Sequence, residues 1–265
     1  MRRRIFAEVT EECINVFFKT KDGWKAECFN FPYIDSGHQT HISGGLISDI
    51  RKKYARSSII IVANTRYLSI RAVDIPTPKL VDKIRPADRW ALVEKAYPIG
   101  EKMNENTYIF DGTVFTNEGG DSCFFMIALP CEASENMAKN CSLLLGANLK
   151  CLDSIEHYIF KHFAKGDNTL VVVFPQGNGL RVLYIEKGLP KDAWYISNDP
   201  MFREDELLLI CAGLGVREAE ITTTQAIILN NNHELDWVYD FFIHHGTANE
   251  IKVELKDFVV TDYLG

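Results

Sequence analysis

The stretch TLVVVFPQGNGLRVLYIEKGLPKDAWY, residues 169–195, decides how the chain is read. Leu170-Val171-Val172-Val173 is an unbroken apolar run, interrupted by Phe174-Pro175-Gln176-Gly177-Asn178-Gly179. A second apolar run follows, then a Lys187-Gly188 turn and a third run. Continuous branched residues suit strands covered on both faces. Residues 169–195 are therefore expected to form a three-stranded antiparallel meander. The two glycines pose the functional question. Such glycines either let backbone N–H groups close around a phosphate or give a hairpin turn its backbone freedom.

Working outward, the first thirty residues carry a second meander. Ile5–Val9, Cys13–Phe18 and Trp24–Phe29 alternate, punctuated by Thr10-Glu11-Glu12 and by Lys21-Asp22-Gly23. A helix is expected from about Gly45 to Ala55, with Leu46, Ile47, Ile50 and Tyr54 along one face. Ser57–Ala63 reads as a fully buried strand, and Tyr67–Ile75 as a strand stopped by Pro76 and Pro78. A helix with a break near Pro86 then runs to Lys95. Strands at 107–117 and 122–130, a helix from Glu132 to Leu145 stopped by Gly146, and a short strand 149–152 follow. Asp153 is read as the N-cap of a helix ending near Phe163. Beyond the second meander come a helix (204–214), a strand (225–229), a helix (235–244) and a last strand (251–258).

The order βββ-α-β thus occurs twice. Duplicated βββαβα halves are the signature of the actin-like, ribonuclease H-like α/β fold, in which two halves face each other across a cleft. The expected division is a first half over 1–160 that carries an inserted small α/β subdomain at about 57–130. A shortened second half covers 161–265.

Composition narrows the function classes. The 265 residues are 46% hydrophobic and 25% charged with a net charge of −7, as for a globular protein without a nucleic-acid footprint. No apolar run nears the roughly 18 residues of a membrane span. Met1-Arg2-Arg3-Arg4 resembles a signal n-region, yet Glu8 interrupts the would-be apolar stretch. A cytoplasmic location is expected. The seven cysteines include no CxxC pair, and Cys131, Cys141 and Cys151 have no zinc-ligand spacing. They read as reduced, small apolar residues.

Several stretches resemble the actin-like assembly proteins of type IV pili and type II secretion, the PilM and GspL group. SSIIIVANTRYLSIRAVDIPTPK (57–79) is similar to their strand, turn, strand and proline unit. RWALVEKAYPIG (89–100) resembles the helix after it, through Glu94 and Tyr97-Pro98-Ile99. FFMIALPCEASENMAKNCSLLLGANLKCLDS (124–154) matches a further unit at Pro130, Leu145, Gly146, Leu149 and Asp153. NTLVVVFPQGNGLRVLYIEKGLP (168–190) resembles the strand that carries their second phosphate loop. The likeness spans about residues 3–255. The chain departs from the group in being short and in lacking the transmembrane helix into which GspL continues, so any membrane association is expected to come through a partner.

An ATPase of this fold needs Asp-x-Gly at each hairpin, with the acids holding Mg²⁺ through water and glycine allowing phosphate to approach. The first hairpin has Glu8 near the acid position and Thr10 in the loop, but no glycine and two further acids, Glu11 and Glu12. Those charges repel a triphosphate. At the second hairpin Phe174 and Pro175 stand at the close-approach positions, proline donates no N–H, and Gly177 comes late. Asn230-Asn231-Asn232 replaces the late glycine pair that supports adenine. No cofactor is expected at these remnant positions, and ATP with Mg²⁺ is disfavoured.

Other constellations read as structural. His244 and His245 end a helix before Gly246, His233 lies well before them, and His157 and His162 have poor ligand spacing, so no metal is expected. Cys131 at a helix start has no placed histidine, and Asp111 and Asp153 read as turn and cap residues. The reading is a non-catalytic actin-like scaffold of a pilus or secretion assembly platform. By resemblance, its partner is a short cytoplasmic tail of a membrane protein or an assembly ATPase, which would hold the scaffold at the inner face of the membrane. Tyr67, Ile70, Val73, Ile75, Trp90 and Tyr97 are the expected partner groove. The alternatives are an actin-like ATPase or small-molecule kinase with atypical loops, or a binding module for an unrelated cytosolic protein.

Overall fold

The computed structural model describes residues 4–10, 13–30, 44–54, 56–75, 91–92, 108–131, 141, 145, 148–213, 225–230, 233–245 and 251–264. The first meander is β1 (Arg4–Val9), β2 (Cys13–Thr20) and β3 (Gly23–Asn30), followed by α1 (Gly44–Tyr54) and β4 (Ser58–Ala63). Then come β5 (Ser69–Ile75), β6 (Tyr108–Thr116), β7 (Ser122–Pro130), β8 (Asn148–Ser154) and α2 (Ile155–Phe163). The second meander is β9 (Leu170–Gln176), β10 (Gly179–Glu186) and β11 (Leu189–Ser197). It leads into α3 (Arg203–Gly213), β12 (Gln225–Asn230), α4 (Asp236–His245) and β13 (Lys252–Asp257).

Strand order shows the duplication directly. The first sheet runs β3-β2-β1-β4-β8, and the second contains β11-β10-β9-β12-β13. In each, an antiparallel meander is continued by two parallel strands, β4 and β8 in one, β12 and β13 in the other. The second sheet is extended beyond β11 by β5, β7 and β6, all antiparallel.

Two boundaries differ from expectation. The inserted segment does not begin at residue 57, because Ser58–Ala63 lies between β1 and β8 and pairs parallel with both. Its continuous apolar run, Ile59–Ala63, is the run of a central strand buried on both faces. A division between residues 160 and 161 would fall within α2, whose Ile155, Ile159 and Phe160 join the core shared by both sheets. The helix expected to run to Lys95 is described only at residues 91–92, and that expected from Glu132 to Leu145 only at 141 and 145, both helical.

β9 explains the choice of an unbroken apolar run. Leu170, Val172 and Phe174 face the core shared with the first sheet, whereas Val171 and Val173 face a second core under α3 and α4. Period-2 alternation with both faces covered requires apolar residues at every position. Val182 and Leu183 on β10 divide between the same two cores. No helix among the described residues is long and apolar enough to cross a membrane.

Candidate functional site: an interlobe cleft and an apolar groove

The two glycines of the opening stretch have different reasons. Gly177 and Asn178 form a two-residue hairpin between Gln176 and Gly179, and Gly177 has a positive φ of 55°, as the first residue of a type II′ turn requires. Gly179 needs no such backbone. A Cβ there would run into the carbonyl oxygen of Ile196 and the Tyr195 hydroxyl, so it is glycine because β11 crosses close to it.

This hairpin and the end of β1 line a cleft of about 550 Å³ between the two sheets, together with Trp24, Asn64, Glu234 and Phe258. Four of the remnant positions, Glu8, Thr10, Pro175 and Gly177, line it. Phe174 does not: strand alternation turns its ring into the core, against Phe258 at 5.6 Å between centroids. Pro175 alone of the pair is presented to the cleft.

A chain of buried polar groups runs under the cleft. Asn15 Nδ2 donates to Glu8 Oε2 at 2.9 Å, and Asn64 Nδ2 donates to Glu8 Oε1 at 2.8 Å. Gln176 Nε2 donates to Asn64 Oδ1 at 3.0 Å and to Glu156 Oε1 at 2.8 Å. Arg181 Nε donates to Gln176 Oε1 at 2.8 Å and lies 3.1 Å from Glu156 Oε1. Its Nη2 donates to the carbonyls of Thr65 and Leu68, fixing the turn after β4. Glu8, Asn64, Glu156, Gln176 and Arg181 are all buried, and Glu156 Oε2 has no hydrogen-bond partner.

Burial pushes both carboxyls above the usual carboxylate range. For Glu8 the amides of Asn15 and Asn64 pull the other way; for Glu156 the Arg181 charge does so most strongly. The side chains of one sheet thus reach those of the other directly across the base of the cleft. Sequence reasoning found Glu8 but missed the rest. The available signal was Arg181 itself, a charge set between Leu180 and Val182 in a buried strand, which demands a buried counter-charge.

The second concavity is a groove of about 480 Å³ between β5, β11 and α3. β11 and β5 pair only at Asp192 and Arg71. The groove is lined by Tyr67, Ile70, Trp194, Tyr195, Leu209 and Ile210, among others. Of the expected partner residues, Tyr67 lines the groove and is exposed, and Ile70 lines it from a buried position. Val73 and Ile75 are buried, and Trp90 and Tyr97 lie outside the described residues. The missed residues are on α3 and β11. The signal was Leu207-Leu208-Leu209-Ile210, four apolar residues in one helical turn, more than a single core-facing stripe uses.

The remaining candidates have structural partners. The N-cap of α2 is Ser154, not Asp153: the Ser154 hydroxyl accepts from the His157 backbone N–H. Asp153 instead pairs with the His157 ring at 2.7 Å. The asparagine run is described only at Asn230, which closes β12, and the left-handed residue nearby is His233, φ 67°. Cys123 and Cys141 are buried, and loss of solvent pushes their thiols up to about 12. Cys131 is half-buried and helical, directly after β7, as expected of a helix start. Among the described residues no group of three or more His, Cys, Asp or Glu side chains is placed to hold a metal ion.

Two like-ordered halves across a cleft define the class: the chain has an actin-like fold. Solved structures similar to it include a Bacteroides thetaiotaomicron protein with an actin-like ATPase fold and unknown function, at TM-score 0.60 and 8% identity over 99% of this chain and 95% of that chain. A chain of the PilM-PilN type IV pilus biogenesis complex is similar at TM-score 0.62 and 10% identity, over 98% of this chain and 89% of the other. The cytoplasmic domain of EpsL, an inner-membrane component of the Vibrio cholerae type II secretion system, is similar at TM-score 0.51 and 11% identity, over 99% and 92%. No family model and no curated protein matches the sequence.

Proposed function

We propose that this chain is a non-catalytic actin-like scaffold that receives an extended segment of a protein partner in the groove between β5, β11 and α3. The setting would be an assembly of the pilus or secretion type. The observation that carries the reading is the polar chain from Glu8 to Arg181. The acid at the first hairpin already accepts from two amides, and Gln176 at the second hairpin reaches Asn64 and Glu156. Apart from Glu156 Oε2, these groups find their hydrogen-bond partners in one another. Pro175 adds a position with no N–H to offer. Supporting the partner side, one similar solved structure is itself a pilus biogenesis complex and another is the cytoplasmic domain of a secretion component.

Thermal unfolding with and without Mg-ATP tests the non-catalytic half of this reading. A ligand that binds only the folded state raises its stability by mass action. The expected shift at millimolar Mg-ATP is under about 1 °C; a rise of several degrees would show that the cleft holds nucleotide, and phosphate release or transfer in a turnover assay would then overturn the non-catalytic reading in favour of an ATPase or kinase with atypical loops.

A further inference from the structure

Two cysteines share the face of the first sheet that turns to the cleft. Strand alternation puts Cys13, Asn15 and Phe17 on one face of β2. Asn15 pairs with Cys28 on β3, Phe17 with Ala26 and Lys19 with Trp24. Asn15, Phe17, Trp24 and Ala26 line the cleft. Cys13 itself pairs with Asn30, so Cys28 is its diagonal neighbour across the two strands. Cys13 is half-buried and Cys28 exposed, so the pair is open to solvent, whereas Cys123, Cys141 and Cys211 are buried.

The two thiols interact. A hydrogen bond joins them, and the Cys28 thiol is pushed up to about 11, by partial loss of solvent first and then by the Cys13 sulfur. The Cys13 thiol also donates to Asn15 Oδ1 at 3.6 Å, and the Thr10 hydroxyl lies 3.5 Å from the Cys13 sulfur.

Reach decides what such a pair can hold. Diagonal neighbours across an antiparallel pair have Cβ atoms a little under about 7–8 Å apart, whereas a disulfide needs about 3.5–4.5 Å. A direct S–S bond would therefore displace the strands. An ion between the sulfurs adds two metal–sulfur bonds to the span and suits the strands as they are paired. Zn²⁺ takes four ligands, and among the described residues no third His, Cys, Asp or Glu joins the pair in a metal-holding group. Copper(I) is soft and is held by two thiolates alone.

We propose that Cys13 and Cys28 form a two-thiolate site for copper(I) at the edge of the cleft. Binding transfers no electron. One Cu⁺ displaces both thiol protons to solvent and leaves a bis-thiolate complex with a single net negative charge. The Thr10 hydroxyl then donates to the Cys13 thiolate from the outer shell. The site is independent of the groove and of its partner.

The test is anaerobic titration of the full, reduced chain with Cu(I) in competition with the chelator bicinchoninate. One Cu(I) per chain is expected to resist the chelator. That equivalent should be lost in Cys13→Ser and in Cys28→Ser separately, and kept in Cys131→Ser, where the cysteine is half-buried elsewhere on the chain. Both serine variants should keep the parent's circular dichroism, so that the loss reports the ligand and not the fold. Bound Cu(I) should also raise the parent's unfolding temperature, with no rise in either of these variants. Retention of the equivalent in Cys13→Ser or Cys28→Ser, or its loss in Cys131→Ser, overturns the site. No retained Cu(I) overturns it as well, and a Cys13–Cys28 disulfide formed by exchange with oxidised glutathione would then make the pair a thiol–disulfide switch instead.

Discussion

The interlobe cleft and the β5–β11–α3 groove are of similar size, about 550 and 480 Å³, and opposite in character. Under the cleft, acids, amides and a guanidinium are buried and turned on one another. Around the groove, large apolar side chains and carboxylates face outward. A buried polar chain that is nearly satisfied holds elements together and leaves little to offer a ligand. Exposed apolar area beside unpaired charge has the composition of an interface. The hairpin that an ATPase would devote to phosphate here joins two sheets, and the exposed apolar groove lies on the far side of β11.

Two substitutions test the cleft most severely. Arg181→Met leaves Glu156 buried without its cation and is expected to cost about 3–5 kcal/mol at neutral pH, measured by urea unfolding. Because burial already raises the Glu156 pKa, protonation relieves that carboxylate in acid, so the loss should be smaller at pH 5 than at pH 8. An equal loss at both would mean that the guanidinium acts through packing alone. Phe174→Ala is expected to cost about 3–5 kcal/mol, as for a fully buried ring. A near-neutral result would place the ring in the cleft after all.

Glu8→Gln gives a smaller effect with a definite sign. The folded protein holds the Glu8 proton more tightly than the unfolded chain does. Its contribution is therefore fully present below the ordinary carboxylate range and is lost as pH rises through the raised folded value. Glutamine has no such loss. Urea midpoints between pH 4 and pH 8 should show the variant gaining on the parent as pH rises; a difference that shrinks would reverse the assignment. The smallest effect belongs to the groove. Leu209→Asp should change stability by no more than about 0.5 kcal/mol, because the side chain is mostly solvated. A large loss would make Leu209 part of the core rather than of an interface.

Much of the architecture was legible locally. Alternation in 5–9 and 13–18, the branched run 170–173 and the turn chemistry at Gly177 and Lys187-Gly188 are short-range signals, and each corresponds to a described strand or turn. The α2 cap was misplaced by one residue because Asp and Ser are both good caps, and only the backbone showed which hydroxyl or carboxylate reached the His157 N–H. Ser58–Ala63 was assigned to the insert because an apolar strand does not announce which sheet it enters. The remnant phosphate positions were legible as residue types, yet the direction of Phe174 depended on the phase of β9 against its neighbours.

The sequence alone determined the order of strands and helices, the doubling of the meander, and the lack of Asp-Gly at either hairpin, because periodicity and turn residues act over a few positions. Only the tertiary structure decided that Asn64 and Gln176, 112 positions apart, share a hydrogen bond under the cleft. It also decided that Tyr67 and Leu209 face one groove. Such pairings depend on how two sheets and a helix stack, and chain spacing carries no record of that.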